Sequence, residues 1–475
     1  MKLSQLLREA DVKNAYADVE ISFVTDKAKM CRENCAFVCI EGRNNDGHDF
    51  IEEAKKKGAR VFITQKDTGE KNQIKVGDTR KVYALMCREY FGRPSDSMKL
   101  IAVTGTNGKT TVTNMIYSLL TLFGEKAGLI GTVETIIDGE RMSSEYTTPG
   151  AFEFNHILRQ MADSGTKYCV CEVSSQALDQ YRTYGNKYSV GVFTNITQEH
   201  LDYHGSFENY LSAKKKLFSY CENAVISLDD KYSEDIISSI GCSVSTYSSR
   251  KNEADLNARC INYGKGEISY AALMFSKIGR VRINGIGEYS VRNSLAAILT
   301  MIKLGFDFNE ICDKMFLVPS VRGRGEKIET GRGFDVYIDY AHTPDALYNV
   351  LYALSRDKKG RLIVLFGCGG DRDREKRSEM GKVASLLSDI AVITDDNPRN
   401  ESEDEIISDI LGGMVSPKCR VYVEKDRTAA IKLALSHAKE GDTVLLAGKG
   451  HEAYQIIKNK KTPFDERLKV NELLG

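Results

Sequence analysis

The stretch Val103–Thr111, VTGTNGKTT, constrains this chain more than any other. An apolar run, Leu100-Ile101-Ala102-Val103, leads into it, and Val112, Ile116, Leu119 and Leu120 follow it at helical spacing. The pattern predicts a strand, a glycine loop and a helix. Such a loop turns backbone N–H groups toward phosphate at the positive end of the helix, with Lys109 reaching the terminal phosphates and Thr110 offering its hydroxyl to Mg²⁺. The ordinary phosphate loop has a glycine five residues before Gly108. Here Val103 stands there, and Gly105 is the first glycine. The expectation is a site for a nucleoside triphosphate.

Composition narrows what else the chain can do. With 475 residues and 42% of them hydrophobic, it can bury several cores, and its length suggests about three domains. Lys and Arg number 66, as do Asp and Glu, so no global field draws nucleic acid or an anionic membrane, and anionic ligands must be held by local clusters. The N-terminus lacks an apolar core of signal-peptide length and no later run approaches a spanning segment, so a cytoplasmic protein is expected. Most of the twelve cysteines lie in apolar runs, with no Cys-x-x-Cys pair, and read as small buried hydrophobes.

Taken in order, residues 1–97 read as a small α/β unit: a strand in CAFVCIEG, a helix from Phe50 through Lys57 closed by Gly58, and a strand in ARVFITQ. Lys55–Lys57 reads as a solvated helix end. Arg93-Pro94-Ser95-Asp96 breaks the chain, and 98–320 form a second unit with further buried strands in YCVCEVSS and YSVGVFTNIT. A third, 321–475, repeats the logic with GFDVYIDYAHTPDAL, RLIVLFGCGGDRD, DIAVITDDNPRN and DTVLLAGKGHEAY. Alternating strands and helices predict an α/β fold: parallel sheets with helices on both faces and functional loops at the carboxyl ends of the strands. FGCGGDRD has Arg372 where a dinucleotide fingerprint needs its third glycine, which argues against an oxidoreductase.

GTNGKTT resembles the ATP loop of the Mur ligase superfamily, the amide-forming enzymes that include folylpolyglutamate synthases. Seven further motifs stand in that family's order: TTP at Thr147–Pro149, EVSSQALDQYR from Glu172, HLDYHG from His200, YAHTPDAL from Tyr340, GCGGDRD from Gly367, DDNPR from Asp395 and GKGHE from Gly448. The resemblance covers nearly the whole chain and is strongest to members adding the third residue of the peptidoglycan stem peptide. It implies a small N-terminal α/β domain binding UDP, a central P-loop-type ATP domain and a Rossmann-like C-terminal domain. GRNNDGHDFI, Gly42–Ile51, resembles the UDP-binding segment, although Lys27-Ala28-Lys29 stands where the family usually carries Asp-Ser-Arg.

By that resemblance ATP is held by Gly105, Thr106, Asn107, Gly108, Lys109, Thr110 and Thr111, with Asn293, Arg324 and Asp339 at the base and ribose. Thr147, Thr148, Ser174, Gln180 and Arg182 are implied for the UDP-MurNAc-L-Ala-D-Glu substrate; Ser174 read alone is a local helix cap. Glu172 and His200 are implied to face Mg²⁺ together with Thr110 and a carbamylated Lys214, although the default for Lys214-Lys215-Lys216 is a solvated basic face. His342 reads equally as a loop anchor or a nucleotide contact. Glu199 replaces the family's aspartate, Ser290 an asparagine, Gly325 a bulky apolar residue and Ser378 a proline. Arg377, Asp396, Asn397, Arg399, Gly448 and Glu452 are implied for the incoming amino acid, meso-diaminopimelate, whose extra carboxylate suits an arginine fork. The implied enzyme is an ATP- and Mg²⁺-dependent ligase acting on small molecules, with no nucleic-acid or membrane partner, and expected as a monomer. Lysine addition, a folate-type synthase (disfavoured by Thr110 and DDNPR) and a noncatalytic ATP-binding paralogue are the alternatives.

Overall fold

The strand Lys99–Thr104 forms the middle of an eleven-stranded sheet, paired in parallel with Tyr168–Glu172 on one side and Tyr188–Phe193 on the other. The computed structural model describes the chain except residues 43, 44, 265, 417 and 459, so Arg43 and Asn44 of the GRNNDGHDFI segment lie outside the described residues. The helix Lys109–Leu122 follows the glycine loop, and its Val112, Ile116, Leu119 and Leu120 are fully buried against the sheet. Each such side chain contributes about 1.5–3 kcal/mol relative to exposure, which fixes the helix and hence the loop before it. Two glycines of that loop are sterically required. A Cβ on Gly105, at φ +150°, would lie 1.9 Å from Thr194 Oγ1, and one on Gly108, at φ +88°, would lie 2.5 Å from Asn293 Oδ1.

The parallel strands that the sequence predicts form only the centre of this sheet. Antiparallel strands extend it at both margins: Glu267–Met274 and Lys277–Asn284 beyond the parallel-paired Leu256–Tyr263 on one side, Glu134–Ile137 and Glu140–Ser143 on the other. Two cores lie on its two faces.

A four-stranded parallel sheet, Phe23–Thr25, Cys35–Val38, Ala59–Thr64 and Gln73–Lys75, precedes it. The helix Ile51–Lys56 is shorter than predicted, because Gly47–Phe50 winds as a 3₁₀ turn; Gly58, at φ +94°, ends it as expected. Lys55 and Lys57 pair with Glu52, Glu70 and Glu53 at the surface. Phe23 and Phe91 pack edge-on against Phe152 of the helix Ala151–Asp163, Tyr90 lies tilted against the same ring and Phe91 stacks on His156, joining this sheet to the central one.

A third sheet runs Glu326–Ile328, Asp335–Asp339, Thr443–Ala447, Leu362–Phe366, Ile390–Ile393 and Arg420–Val423, parallel except for its first strand. Helices Pro344–Asp357, Glu375–Leu387 and Glu403–Leu411 contribute to one face and Arg427–His437 to the other. All twelve cysteines are free and most are buried. Among the described residues no helix is long and apolar enough to cross a membrane.

Candidate active site

The carboxyl ends of the central strands bring three loops together, 105–111, 173–175 and 194–204, facing the corresponding loops of the third sheet. Between them lies a cleft of about 1560 Å³. Lys109 lines it, with its ammonium held at 2.9 Å from the carbonyl oxygens of both Gly105 and Thr106. Lys214 is buried behind the loop and donates to Gly105 O at 2.9 Å, its ammonium 4.5 Å from the Tyr210 ring centroid. Burial, reinforced by Lys109, pushes its amine far below the ordinary lysine range, whereas Lys215 and Lys216 are half-exposed. The helix Phe207–Lys215 therefore separates one buried amine from a basic surface.

Glu172 is fully buried at its strand end, accepting from Thr110 Oγ1 at 3.0 Å, from Thr132 N at 2.8 Å and from Thr132 Oγ1 at 2.9 Å. His200 does not join it. Among the described residues the imidazole pairs instead with Glu199, at 3.6 Å, because a left-handed backbone at His200 (φ 57°) turns it aside. Glu199 also meets His342 Nε2 at 3.5 Å, across the gap between the second and third sheets. Burial pushes the Glu199 carboxyl up, but His342, His200 and Lys109 outweigh it and hold the group well below the usual range. Nothing in the motif reading singled out Glu199 except its place beside His200. His342 Nδ1 donates to Tyr340 O at 2.7 Å, so it anchors its loop as well as touching Glu199.

Thr147, Thr148, Ser174, Gln180 and Arg182 all line the cleft. Ser174 caps the short helix Ser175–Asp179 through Ala177 N, and Thr148, fully buried, donates to Glu172 O at 2.9 Å. Arg182 donates to Thr148 O at 2.8 Å and through Nε and Nη2 to Gln180 Oε1, which fixes the guanidinium on the wall. A neighbouring cavity is lined by Asn107, Gly108, Thr111, Asn293, Arg324 and Asp339. Asp339 accepts from Gly325 N at 2.6 Å and Ala341 N at 2.8 Å, and Arg324 Nη2 reaches Thr110 Oγ1 at 3.2 Å. Asn107 reaches across to Asp345 at 3.1 Å. The Tyr289 hydroxyl lines the same cavity, buried and without a hydrogen-bond partner among the described residues.

On the far wall stand Asp396, Asn397, Arg399, Gly448 and Glu452. Arg399, at φ 53°, is held by Nη1 on Gly370 O at 2.7 Å. Arg377 does not reach this wall, contrary to expectation. It is fully buried, paired in bidentate fashion with Glu401 at 2.9–3.0 Å and with Asp409 at 2.9 Å, because it falls on the same helix face as Met380, Gly381 and Ala384. Arg372 lines the cleft instead, exposed beside Gly369 and Arg399. His451, its ring tilted against Tyr340, has an Nδ1 with no partner among the described residues, and burial next to Arg324 and Arg322 pushes its imidazole down to about 3.

Comparison with known proteins matches residues 20–90 to the Mur ligase family catalytic domain, 103–301 to the Mur ligase middle domain and 323–450 to the Mur ligase glutamate ligase domain. A UDP-N-acetylmuramoyl-L-alanyl-D-glutamate--2,6-diaminopimelate ligase of Clostridium tetani is 40% identical, covering 100% of this chain and 99% of that one. The chain belongs to the Mur ligase family. A protein of the same name from Clostridium perfringens is 42% identical over 100% of this chain and 99% of its own. A solved structure under that name superposes with a TM-score of 0.73 at 28% identity, covering 100% of this chain and 98% of the other. The Thermotoga maritima MurF ligase with ADP, at 20% identity, TM-score 0.61 and coverage of 95% and 96%, shares the fold.

Family membership makes the reaction ATP- and Mg²⁺-dependent. For a Mur ligase the oxygen donors here suit that ion. The Thr110 hydroxyl and the Glu172 carboxylate lie 3.0 Å apart at the end of the phosphate loop, both hard oxygens, and an ion held by them takes its other ligands from phosphate and water. The half-exposed, Glu199-paired His200 fits a role through water better than direct ligation.

Proposed function

We propose that this Mur ligase couples ATP to ADP and phosphate while joining an amine of meso-diaminopimelate to the D-glutamyl carboxylate of UDP-MurNAc-L-Ala-D-Glu. One observation carries the reading: Lys109, Arg182 and Arg399 line a single cleft between the central and C-terminal sheets, so phosphate, dipeptide and amino acid can meet there. The same reading divides the chain into a UDP-sugar domain at 1–97, an ATP domain at 98–320 and an amino-acid domain at 321–475.

In this account the D-glutamyl carboxylate attacks the γ-phosphorus of ATP and ADP leaves, giving an acyl phosphate. The incoming amine, having shed its proton, then adds to the acyl carbon, and phosphate departs as the amide forms. The protein's share is placement and charge neutralisation. Lys109 moves from the loop carbonyls to the transferring phosphoryl oxygens. Arg182, braced by Gln180, grips the dipeptide, and Asn293, Arg324 and Asp339 hold the nucleoside. Thr110 and Glu172 would hold Mg²⁺, which supplies neutralisation of phosphate charge. Burial favours the uncharged form of Lys214, the form that adds carbon dioxide and releases a proton to become a carbamate; the resulting anion would sit beside the phosphate loop. Arg372 and Arg399 are the guanidinium pair placed for the distal carboxylate, with Asp396, Asn397 and Glu452 for an ammonium.

Phosphate release by the purified protein tests the reading, with UDP-muramyl dipeptide and diaminopimelate each present or omitted. Release should require both; release indifferent to either contradicts it.

A further inference from the structure

The GKGHE loop carries a lysine that stands behind the cleft wall and not on it. Lys449 is fully buried, yet its ammonium lies 2.9 Å from Asp396 Oδ1 and 3.6 Å from Glu452 Oε2, and it donates to Asn397 Oδ1 at 3.0 Å. Those three partners line the cleft. The Asn397 amide is fixed on both sides: its oxygen also accepts from Ile456 N at 2.9 Å, and its nitrogen donates to Glu452 Oε2 at 2.9 Å. Tyr340 OH meets the other oxygen of Glu452 at 3.3 Å. Burying an ammonium costs more than its ion pairs usually return, and an apolar side chain would serve packing better. The cation therefore has a purpose other than stability.

We propose that Lys449 is the positioning residue of the amino-acid pocket, holding Asp396, Asn397 and Glu452 as one ordered anionic surface that receives an ammonium group of the incoming diamino acid. This rests on the reading of the cleft given above. A single cation shared by the two carboxylates and the Asn397 amide holds them in one arrangement facing the cleft. Burial pushes the Asp396 carboxyl up, but Lys449 and Arg427 outweigh it and hold it below the ordinary carboxylate value. Arg427 is committed elsewhere, to Glu466 and to the carbonyl oxygens of Asp395 and Ala447. The other charged or titratable groups around the pair are Glu466, His342, Tyr340, Tyr454, the buried Cys368 thiol and, through Tyr454, Arg399. Burial is already the largest single influence on Asp396; with Lys449 gone it is opposed chiefly by Arg427, so the carboxyl shifts up and takes up a proton sooner as pH falls.

The sign of each pH effect follows. In Lys449→Met the substrate loses its anionic partner at acid pH and regains it at alkaline pH, so the loss in diaminopimelate KM relative to the unmodified protein shrinks as pH rises. Stability moves the other way. A folded-state carboxyl raised above its unfolded value stabilises at low pH and loses that contribution as pH rises, so the melting deficit of the variant grows with pH.

Steady-state kinetics and thermal melting of Lys449→Met and Lys449→Arg, each measured from acid to alkaline pH, test the proposal. The expected result is a diaminopimelate KM raised about 10- to 100-fold at neutral pH, the size of lost charge-assisted hydrogen bonds. The KM for ATP should stay within about threefold, the two pH trends should oppose each other, and Lys449→Arg should recover part of the loss. Equal increases in both KM values, or KM and melting deficits that rise and fall together, would overturn it. Melting needs no substrate, so opposed stability behaviour with no diaminopimelate turnover in the unmodified protein would instead locate the failure in the functional reading and overturn only the ligand assigned to the pocket.

Discussion

The side chains of Lys109 and Lys214 donate to one and the same carbonyl oxygen, that of Gly105, each at 2.9 Å. Two amines that converge on one acceptor in a buried loop cannot both carry full charge cheaply. Burial pushes both down, and for Lys214 the neighbouring Lys109 adds to the effect. The division of labour follows from placement: Lys109 faces the cleft, and Lys214 is the buried amine, pushed down further, that is available for modification.

Lys214→Ala should therefore lose activity by about 100-fold or more, and a short carboxylic acid such as formate or acetate should restore part of it by replacing the missing anion. Lys215→Ala and Lys216→Ala should change kcat little, since neither is buried. Equal losses at all three positions, with no rescue at 214, would count against a modified residue.

Lys109→Ala removes the charge aimed at the phosphoryl group while leaving the helix Lys109–Leu122 its apolar face. Turnover should fall by about 100- to 1,000-fold, with a melting temperature close to that of the unmodified protein. Near-normal turnover in a folded variant would refute the phosphate-loop assignment.

The Tyr289 hydroxyl is buried at the edge of the nucleotide cavity with no hydrogen-bond partner among the described residues. A nucleotide base carries acceptors and donors that could satisfy it. Tyr289→Phe should raise the KM for ATP by about 3- to 10-fold, one neutral hydrogen bond's worth, with kcat nearly unchanged. An unchanged KM for ATP would show that the hydroxyl meets no part of the nucleotide.

Arg377 and Arg372 should separate stability from substrate binding. Arg377→Ala strands Glu401 and Asp409 beside a buried void and should cost about 3 kcal/mol in denaturant unfolding. Arg372→Ala should leave stability within about 0.5 kcal/mol, as exposed substitutions usually do, and raise the KM for diaminopimelate about tenfold or more. The reverse pattern would restore Arg377 to the pocket.

That pair also shows what was legible in the sequence. Glycines that only a tight loop tolerates, and apolar residues at helical spacing, located the phosphate loop and its helix, because both constraints are local. The order of the motifs located most of the cleft. Arg377 went astray because a motif says which residues are near one another and nothing about which way each faces. The helix phase, with Met380, Gly381 and Ala384 on the same side, held that information. The marginal strand Lys277–Asn284 alternates, with Gly279, Val281 and Ile283 inward, so its period was readable, but its partner depends on distant pairing. Glu199–His342 and Asn107–Asp345 join residues more than a hundred positions apart, and no local pattern states such contacts.

The central claim is that this chain adds diaminopimelate, with Arg372 and Arg399 gripping its distal carboxylate. Lysine lacks that carboxylate and would cover the half-buried Arg399 guanidinium without giving it an anion. The most direct measurement is competition: equal concentrations of diaminopimelate and lysine with ATP, Mg²⁺ and UDP-muramyl dipeptide, and the tripeptide products resolved by mass. The account predicts diaminopimelate product in excess of about a hundredfold, an excess that collapses in Arg399→Ala. Comparable amounts of lysine product from the unmodified protein would contradict it.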